Sequence, residues 1–219
     1  MLSLSTIGSF ISLLNEFNLL NKWYVVLLFG ILAGPILSHL EIDYKIHKFL
    51  FDKFGFGKKI IEKNILFKLI DSIFVGTTWW LSIQQLFLKP LFNLSIQNYN
   101  WIYLSIFILG FLLKFAFGRS YIYENDFLSS SKSWRYINFW GNGSFLTQLI
   151  NVWKTYSYPS IHTIILFSGL FLGIFTIELY VLAILTILWL LFVNHHWFSD
   201  IVSGLLISYS ALLFIQQVL

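Results

Sequence analysis

The chain has 219 residues, of which 58% are hydrophobic, 20% are aromatic and only 11% are charged, whereas a soluble domain has about 25% charged residues. A core of this size cannot bury so much apolar surface, so the composition excludes an ordinary soluble domain and predicts a protein of the lipid bilayer. The absence of cysteine excludes disulfides and thiolate metal sites. The net charge is +4, and almost all positively charged side chains are Lys, because Arg occurs only at positions 119 and 135.

The first 20 residues carry apolar side chains at helical spacing, among them Ile7, Phe10, Leu14 and Phe17. This spacing predicts an amphipathic helix that lies at the membrane interface. The segment has no basic n-region and no small-residue cleavage site, so we interpret it as mature protein and not as a signal peptide.

Six apolar stretches follow, each approaching the roughly 20 residues that cross the hydrocarbon of a bilayer. They cover residues 23–40, 65–88, 101–117, 161–176, 179–194 and 201–219. We expect helices, because the alternating pattern of barrel strands is absent. The predicted fold is one all-α domain over residues 1–219, an integral membrane bundle of six helices.

Two polar stretches interrupt this pattern. Residues 41–64 contain six Lys among Ile, Phe and Leu, which predicts a helix at the lipid headgroups, with His39 and His47 also at the interface. Residues 118–157 form the longest connection, and long loops in a compact fold are often functional. An interfacial belt of Trp and Tyr without chemistry is the alternative for this loop.

Five ionisable residues fall at the ends of predicted helices: Lys114, Arg119, His162, His196 and Asp200. If successive helices alternate in direction, all five lie on one face of the membrane. Ionisable groups are costly in a membrane and mark functional sites. We therefore expect the five side chains to converge on one site.

This set of residues suits phosphoryl transfer through a covalent phosphohistidine. One imidazole attacks phosphorus while a carboxylate holds its tautomer, and His196 and Asp200 stand four residues apart. A second imidazole, His162, can protonate the leaving oxygen and then activate water, while Lys114 and Arg119 neutralise phosphate oxygens. Backbone N–H groups from Ser160 to His162 add an anion site at a helix start.

Three motifs carry a resemblance to a known family. Residues 158–162 (YPSIH) resemble the PSGH motif of the phosphatidic acid phosphatase type 2 superfamily, and residues 196–200 (HWFSD) are similar to the end of its third motif, SRxxxxxHxxxD. Residues 114–119 (KFAFGR) resemble the opening of its first motif, KxxxxxxRP. The resemblance implies that His196 is the nucleophile, Asp200 its partner and His162 the acid and base, with no metal or cofactor.

The first and third motifs are degenerate in this chain. Tyr121 stands where the first motif has Arg, and Leu190 stands where the third motif has Arg. Arg119 and Arg135 are candidate substitutes. Since loss of one transition-state donor costs about 10²- to 10³-fold in rate, a catalytically inactive lipid-phosphate binder or scaffold of the same fold remains the alternative to an enzyme.

Two further ionisable residues receive structural interpretations. His195 points away from its neighbour His196 on a helix, so we expect a structural or auxiliary role beside the site. Asp71 is expected to hydrogen-bond to a neighbouring helix. His195, His196 and Asp200 could offer metal ligands, but the set is weak and we predict no metal.

The predicted function is a membrane phosphatase for a lipid phosphate that enters sideways from the bilayer. The candidate substrates are lipid A, undecaprenyl phosphate or pyrophosphate, phosphatidylglycerol phosphate and phosphatidic acid. We expect no nucleic-acid partner, and the sequence leaves the oligomeric state open. A transporter is disfavoured because paired broken helices and a repeat are missing.

The residue bias towards Ile, Phe, Lys and Asn suggests an AT-rich bacterial genome, and so a bacterial inner membrane. The family resemblance favours a site on the periplasmic face. The positive-inside rule argues for a cytoplasmic site, because ten Lys and Arg near helix ends fall on the side of the site and only Lys22 and Lys89 on the other. Binding of anionic headgroups accounts for part of that excess.

Overall fold

The structure is a computed structural model. It describes residues 22–54, 64–83, 97–119, 134–135, 157–172, 178–193 and 195–218. The amphipathic helix predicted within the first 20 residues lies outside this part of the chain.

Across these residues the fold is all-α, with seven helices and one pairing of two-residue strands. The helices are α1 (Trp23–His39), α2 (Ile42–Phe54), α3 (Ile65–Ile83), α4 (Gln97–Ala116), α5 (Ile161–Phe171), α6 (Glu178–Phe192) and α7 (Phe198–Val218). The strands β1 (Gly118–Arg119) and β2 (Trp134–Arg135) pair in antiparallel fashion.

Each of the six apolar stretches contains a described helix, which confirms the predicted helical positions. Among the described helices, only α7, with 21 residues, is by itself long and apolar enough to cross a membrane. Helices α1 and α2 meet the same test together but are bent by 65° at the break between them. Helix α5 has 11 residues and is about 17 Å long, so its described part is shorter than the roughly 30 Å of bilayer hydrocarbon.

Helix α7 lies at the centre of the fold and packs most extensively against α1 and then α5. Small residues allow these approaches. A side chain on Gly204 of α7 would meet the Ser160 carbonyl oxygen and Thr163 Cβ, each at 2.9 Å, and one on Gly30 of α1 would meet the Ile207 backbone nitrogen at 3.1 Å. Close backbone approach of this kind is typical of helices that pack in lipid.

Hydroxyl groups add hydrogen bonds between these helices. The Ser203 hydroxyl of α7 donates to the Gly30 carbonyl of α1 at 2.6 Å, and the Ser168 hydroxyl of α5 lies 3.1 Å from that of Ser208 in α7. The Tyr158 hydroxyl, just before α5, donates to the Gly30 carbonyl at 3.0 Å. These bonds hold the segment that precedes α5 against α1 and α7.

Helix α2 turns away from α1 at Glu41, whose φ of 59° is in the left-handed region. One side of α2 buries Asp43 and His47. Lys48 and Phe49 are exposed, as expected of a helix at an interface. This turn places the buried side of α2 against the first turn of α7, where Asp43 and His47 hydrogen-bond to backbone N–H groups.

Gly204→Ala should lower the midpoint of thermal unfolding by roughly 2–10 °C, because overpacking costs about 1–3 kcal/mol. The colliding Ser160 oxygen is backbone and cannot rotate away. Gly76→Ala is the matched control, because its Cβ would meet nothing within 4 Å, and Ala in a helix interior is favoured by about 0.5–1 kcal/mol over Gly. Tryptophan fluorescence in detergent measures both midpoints. Equal midpoints for the two variants would contradict the close packing of α5 on α7.

Candidate functional site

The five residues predicted to converge meet at one end of the bundle. Lys114 is in the last turn of α4, Arg119 ends β1, and His162 is in the first turn of α5. His196 lies in the α6–α7 connection, and Asp200 is in the first turn of α7. All except His162 are buried, with exposures of at most 4%. Contacts join His162, His196, Asp200 and Arg119, and the charge of Lys114 acts on His162, His196 and Asp200.

The two imidazoles face each other across the site. His162 Nδ1 lies 3.3 Å from His196 Nε2, and the ring of Trp79 packs edge-on against His162 at 5.9 Å between centroids. His162 Nε2 is buried and has no hydrogen-bond partner within the described ranges. A buried imidazole nitrogen without a partner costs free energy, so this atom is suited to meet a ligand.

Asp200 lies beside the other nitrogen of His196. Its Oδ2 is 3.7 Å from His196 Nδ1 and accepts a hydrogen bond from the Trp197 N–H at 3.1 Å. The hydrogen bond from the Trp197 N–H is typical of a capping box, in which the side chain of an acidic residue in the first turn accepts the N–H of the residue before the helix. The local fold of α7 therefore directs this carboxylate towards His196.

Burial lowers the pKa of His196, and the positive charge of Lys114 acts in the same direction. His196 lies in the connection that precedes α7. A depressed pKa keeps the imidazole neutral at pH 7, and a neutral imidazole has the lone pair that nucleophilic attack requires. His196 Nδ1 lies 3.7 Å from Asp200 Oδ2, and a proton on that nitrogen leaves the lone pair on Nε2, the atom that faces His162.

Arg119 is engaged by carboxylates. Its Nη1 lies 2.8 Å from Asp43 Oδ2 and 3.5 Å from Asp200 Oδ1, and donates to the Ser199 hydroxyl at 2.7 Å. The guanidinium also stacks on the Trp197 ring at 4.5 Å. Arg119 thus contacts the residues that position Asp200, and its predicted role in binding phosphate stays a prediction.

Lys114 is the other cation of the site. It is 4% exposed, and its charge acts on His162, His196 and Asp200. A buried ammonium among these groups is suited to neutralise an anion that binds between the two imidazoles. Its predicted role in binding phosphate stays a prediction, as it does for Arg119.

Ser160 caps α5 and links it to α7. Its hydroxyl accepts from the Thr163 N–H at 3.3 Å, and its own N–H donates to the Asp200 carbonyl at 3.1 Å. The Ser160 N–H is therefore used within the fold, which narrows the predicted anion site at this helix start to the N–H groups of Ile161 and His162.

Tyr121 and Leu190 occupy the degenerate motif positions, and Arg135 is a candidate substitute for the missing arginines. Tyr121 lies outside the described residues. The backbone of Arg135 pairs with Gly118, beside Arg119. Leu190 is buried, and its carbonyl accepts N–H groups from His195 at 3.0 Å and His196 at 3.4 Å, so the Leu190 backbone holds the connection that contains His196.

The predicted hydrogen bond of Asp71 to a neighbouring helix is confirmed, and the auxiliary role of His195 stays a prediction. Asp71 Oδ1 accepts from Trp189 Nε1 of α6 at 2.9 Å and lies 3.1 Å from His195 Nε2. His195 therefore contacts α3 and does not join the pair formed by His162 and His196.

Sequence reasoning missed the contacts of two residues of α2. His47 is expected at the membrane interface, and the structure adds that it is 0% exposed and accepts the Phe198 N–H at 3.1 Å. Asp43, also 0% exposed, accepts the Ser199 N–H at 2.8 Å and the Ser199 hydroxyl at 2.6 Å. Their spacing of four residues, which places two polar groups on one face of a helix, was the available signal.

Comparisons with protein-family models, with curated proteins and with solved structures gave no match.

Arg119→Ala should lower the midpoint of thermal unfolding by roughly 10 °C, because removing one partner of a buried ion pair costs about 3–5 kcal/mol. Adding Asp43→Asn should recover part of this loss, since one of the two buried carboxylates then no longer carries charge. Lys48→Ala, at an exposed position of α2, is the control and should change little. An Arg119→Ala midpoint within about 2 °C of wild type would refute the buried pairing.

Proposed function

We propose that the chain is a membrane-bound phosphatase that hydrolyses a phosphomonoester or pyrophosphate of a lipid through a phosphohistidine at His196. One observation carries the proposal: His162 Nδ1 lies 3.3 Å from His196 Nε2, and Asp200 lies at the other nitrogen of the His196 ring. Two facing imidazoles with a carboxylate behind one of them provide a nucleophile, an orienting group and a separate proton carrier.

In the first step, neutral His196 attacks phosphorus with the lone pair of Nε2. An N–P bond forms while the P–O bond to the lipid breaks. His162, as imidazolium, gives its proton to the leaving oxygen, so the lipid departs as an alcohol or as a phosphate. The phosphoryl group enters between the two rings, which separates them and leaves His162 across the phosphorus from His196. The dianionic substrate favours the imidazolium form of His162 while it is bound.

In the second step, His162 is neutral and acts as a base. It takes a proton from water, the oxygen attacks phosphorus, and the N–P bond to His196 breaks. Inorganic phosphate leaves, and both imidazoles return to their starting states. Asp200 stabilises the positive charge that develops on the His196 ring in both steps, as a carboxylate beside a catalytic imidazole does.

The charges of the site limit how phosphate is held. Asp43 and Asp200 share Arg119, so Lys114 supplies most of the positive charge that reaches phosphate oxygens. The start of α5 contributes N–H groups and the positive end of its dipole. This arrangement compensates for the motif arginines replaced by Tyr121 and Leu190.

The proposed setting is a bundle of six membrane helices in a bacterial inner membrane. Large apolar side chains are exposed along the described helices, including Ile65, Leu66, Leu69, Ile73, Val181, Ile184 and Leu188. Such surfaces are unfavourable in water and suited to lipid. With the site at one end of the bundle, the lipid chains of a substrate stay in the bilayer while the phosphate reaches His196.

The second candidate function is that of a protein with the same fold that binds a lipid phosphate but does not hydrolyse it. The pairing of Arg119 with two carboxylates favours it, because fewer cations then remain for a transition state. Saturable binding of a lipid phosphate without phosphate release at any pH would support this candidate over the enzyme.

Purified protein in detergent should release inorganic phosphate from at least one of four lipids: lipid A, undecaprenyl pyrophosphate, phosphatidylglycerol phosphate or phosphatidic acid. His196→Ala should lower the rate by at least about 10³-fold, since the nucleophile is removed. His39→Ala is the control, because His39 is exposed at the end of α1, and it should keep full activity. Equal phosphate release by wild type and His196→Ala would end the proposal.

We place the site on the periplasmic face, and the cysteine-free chain allows a direct test. Lys48→Cys marks exposed α2, next to the site, and Val218→Cys marks the exposed end of α7. In intact spheroplasts a membrane-impermeant maleimide should label Lys48→Cys, and should label Val218→Cys only after permeabilisation. The reverse pattern would move the site to the cytoplasmic face, as the distribution of Lys and Arg suggests.

A further inference from the structure

Two side chains of α2 cap the start of α7 from outside that helix. The first N–H groups of a helix have no partner within it. Trp197 precedes α7 and has no side-chain acceptor that could serve as a cap. The Phe198 N–H donates to His47 Nε2 at 3.1 Å, and the Ser199 N–H donates to Asp43 Oδ1 at 2.8 Å. Helix α2 therefore supplies the acceptors that fix the N-terminus of α7.

The same carboxylate of Asp43 reaches Arg119. Asp43 Oδ2 accepts from the Ser199 hydroxyl at 2.6 Å and lies 2.8 Å from Arg119 Nη1. The Ser199 hydroxyl in turn accepts from that Nη1 at 2.7 Å. Asp43, Ser199 and Arg119 form a closed triangle, and each of the three is 0% exposed.

This triangle controls what Asp200 can contact. Arg119 Nη1 is nearer to Asp43, at 2.8 Å, than to Asp200, at 3.5 Å. Asp200 faces Arg119 with Oδ1, which leaves Oδ2 for the Trp197 N–H and for His196. A guanidinium paired with Asp200 alone would neutralise that carboxylate and compete with the imidazole for it.

We propose that Asp43 is a positioning residue that holds Arg119 and the first turn of α7 so that Asp200 keeps Oδ2, which also accepts the Trp197 N–H, beside His196. This inference rests on the proposed function for its kinetic consequence and on the contacts of α2 for its structural one. Asp43 acts through Arg119 and Ser199 and does not touch the substrate. Loss of its charge lets Arg119 move onto Asp200, and His196 then loses the partner that fixes its tautomer.

Asp43→Asn is the central variant, because the amide keeps the volume and an acceptor for the Ser199 N–H while it removes the charge. We expect kcat to fall by about 10- to 100-fold, since misplacement of a catalytic group costs about 10²-fold, with KM changed less than about threefold. Asp52→Asn is the matched control, as the same substitution at an exposed position of the same helix, and should leave both constants unchanged.

A second measurement needs no turnover. The ¹⁵N resonances of histidine-labelled protein report which ring nitrogen carries the proton, and the signal lost in His196→Ala assigns that residue. We expect the Nδ1–H tautomer of His196 in wild type and Asp52→Asn, and a mixture of tautomers in Asp43→Asn. Ser199→Ala, which breaks the triangle but keeps the backbone N–H, should shift the tautomer in the same direction.

Phosphate release and the ¹⁵N spectra distinguish a failure of the proposed function from a failure of the proposed role of Asp43. If wild type releases phosphate from none of the lipids, the proposed function fails, and the ¹⁵N spectra still decide the role of Asp43. If the His196 tautomer in both Asp43→Asn and Ser199→Ala equals that of wild type, Asp43 only stabilises the fold and the inference is overturned. A loss of kcat in Asp43→Asn with an unchanged tautomer would overturn it as well.

Discussion

The structure depends on the interactions of Asp200. Its backbone carbonyl accepts the Ser160 N–H, one carboxylate oxygen accepts the Trp197 N–H beside His196, and the other pairs with Arg119. Three segments distant in the chain, at the ends of α4 and α6 and the start of α5, are joined through this residue. The position of both imidazoles follows, because His162 is in the first turn of α5, two residues after Ser160, and His196 lies four residues before Asp200.

Burying these charges is costly. The effective penalty is several kcal/mol for each ion, and two carboxylates and two cations are buried at this end of the bundle. Mutual pairing offsets part of that cost, and the close packing of α1, α5 and α7 around Gly30 and Gly204 supplies a rigid frame. Buried charges that are paired in this way are held in fixed positions, and such preorganisation is what the proposed phosphoryl transfer requires.

Much of this arrangement could be predicted from the sequence. Apolar runs indicated where these six helices lie, since a long apolar stretch is typical of a helix. The motifs at His162 and His196, with the alternation of helix direction, indicated that the site residues would meet. The contacts of Arg119 could not be predicted, because its spacing says that it is near the site and not which side chains it contacts. Asp43 and His47 were missed for a related reason: a Lys-rich helix resembles an interfacial one, and its buried face becomes evident only when α7 is packed against it.

The most direct test of the central claim is to trap the covalent intermediate. Protein mixed with a ³²P-labelled lipid phosphate and quenched in alkali within milliseconds should carry label that is stable to alkali, labile to acid and confined to the peptide containing His196. Asp200→Asn should slow the appearance of this label, and His162→Ala should slow its loss more than its formation when the substrate has a good leaving group. Phosphate release by wild type without any acid-labile label on His196, under conditions that trap a known phosphohistidine enzyme, would contradict the account.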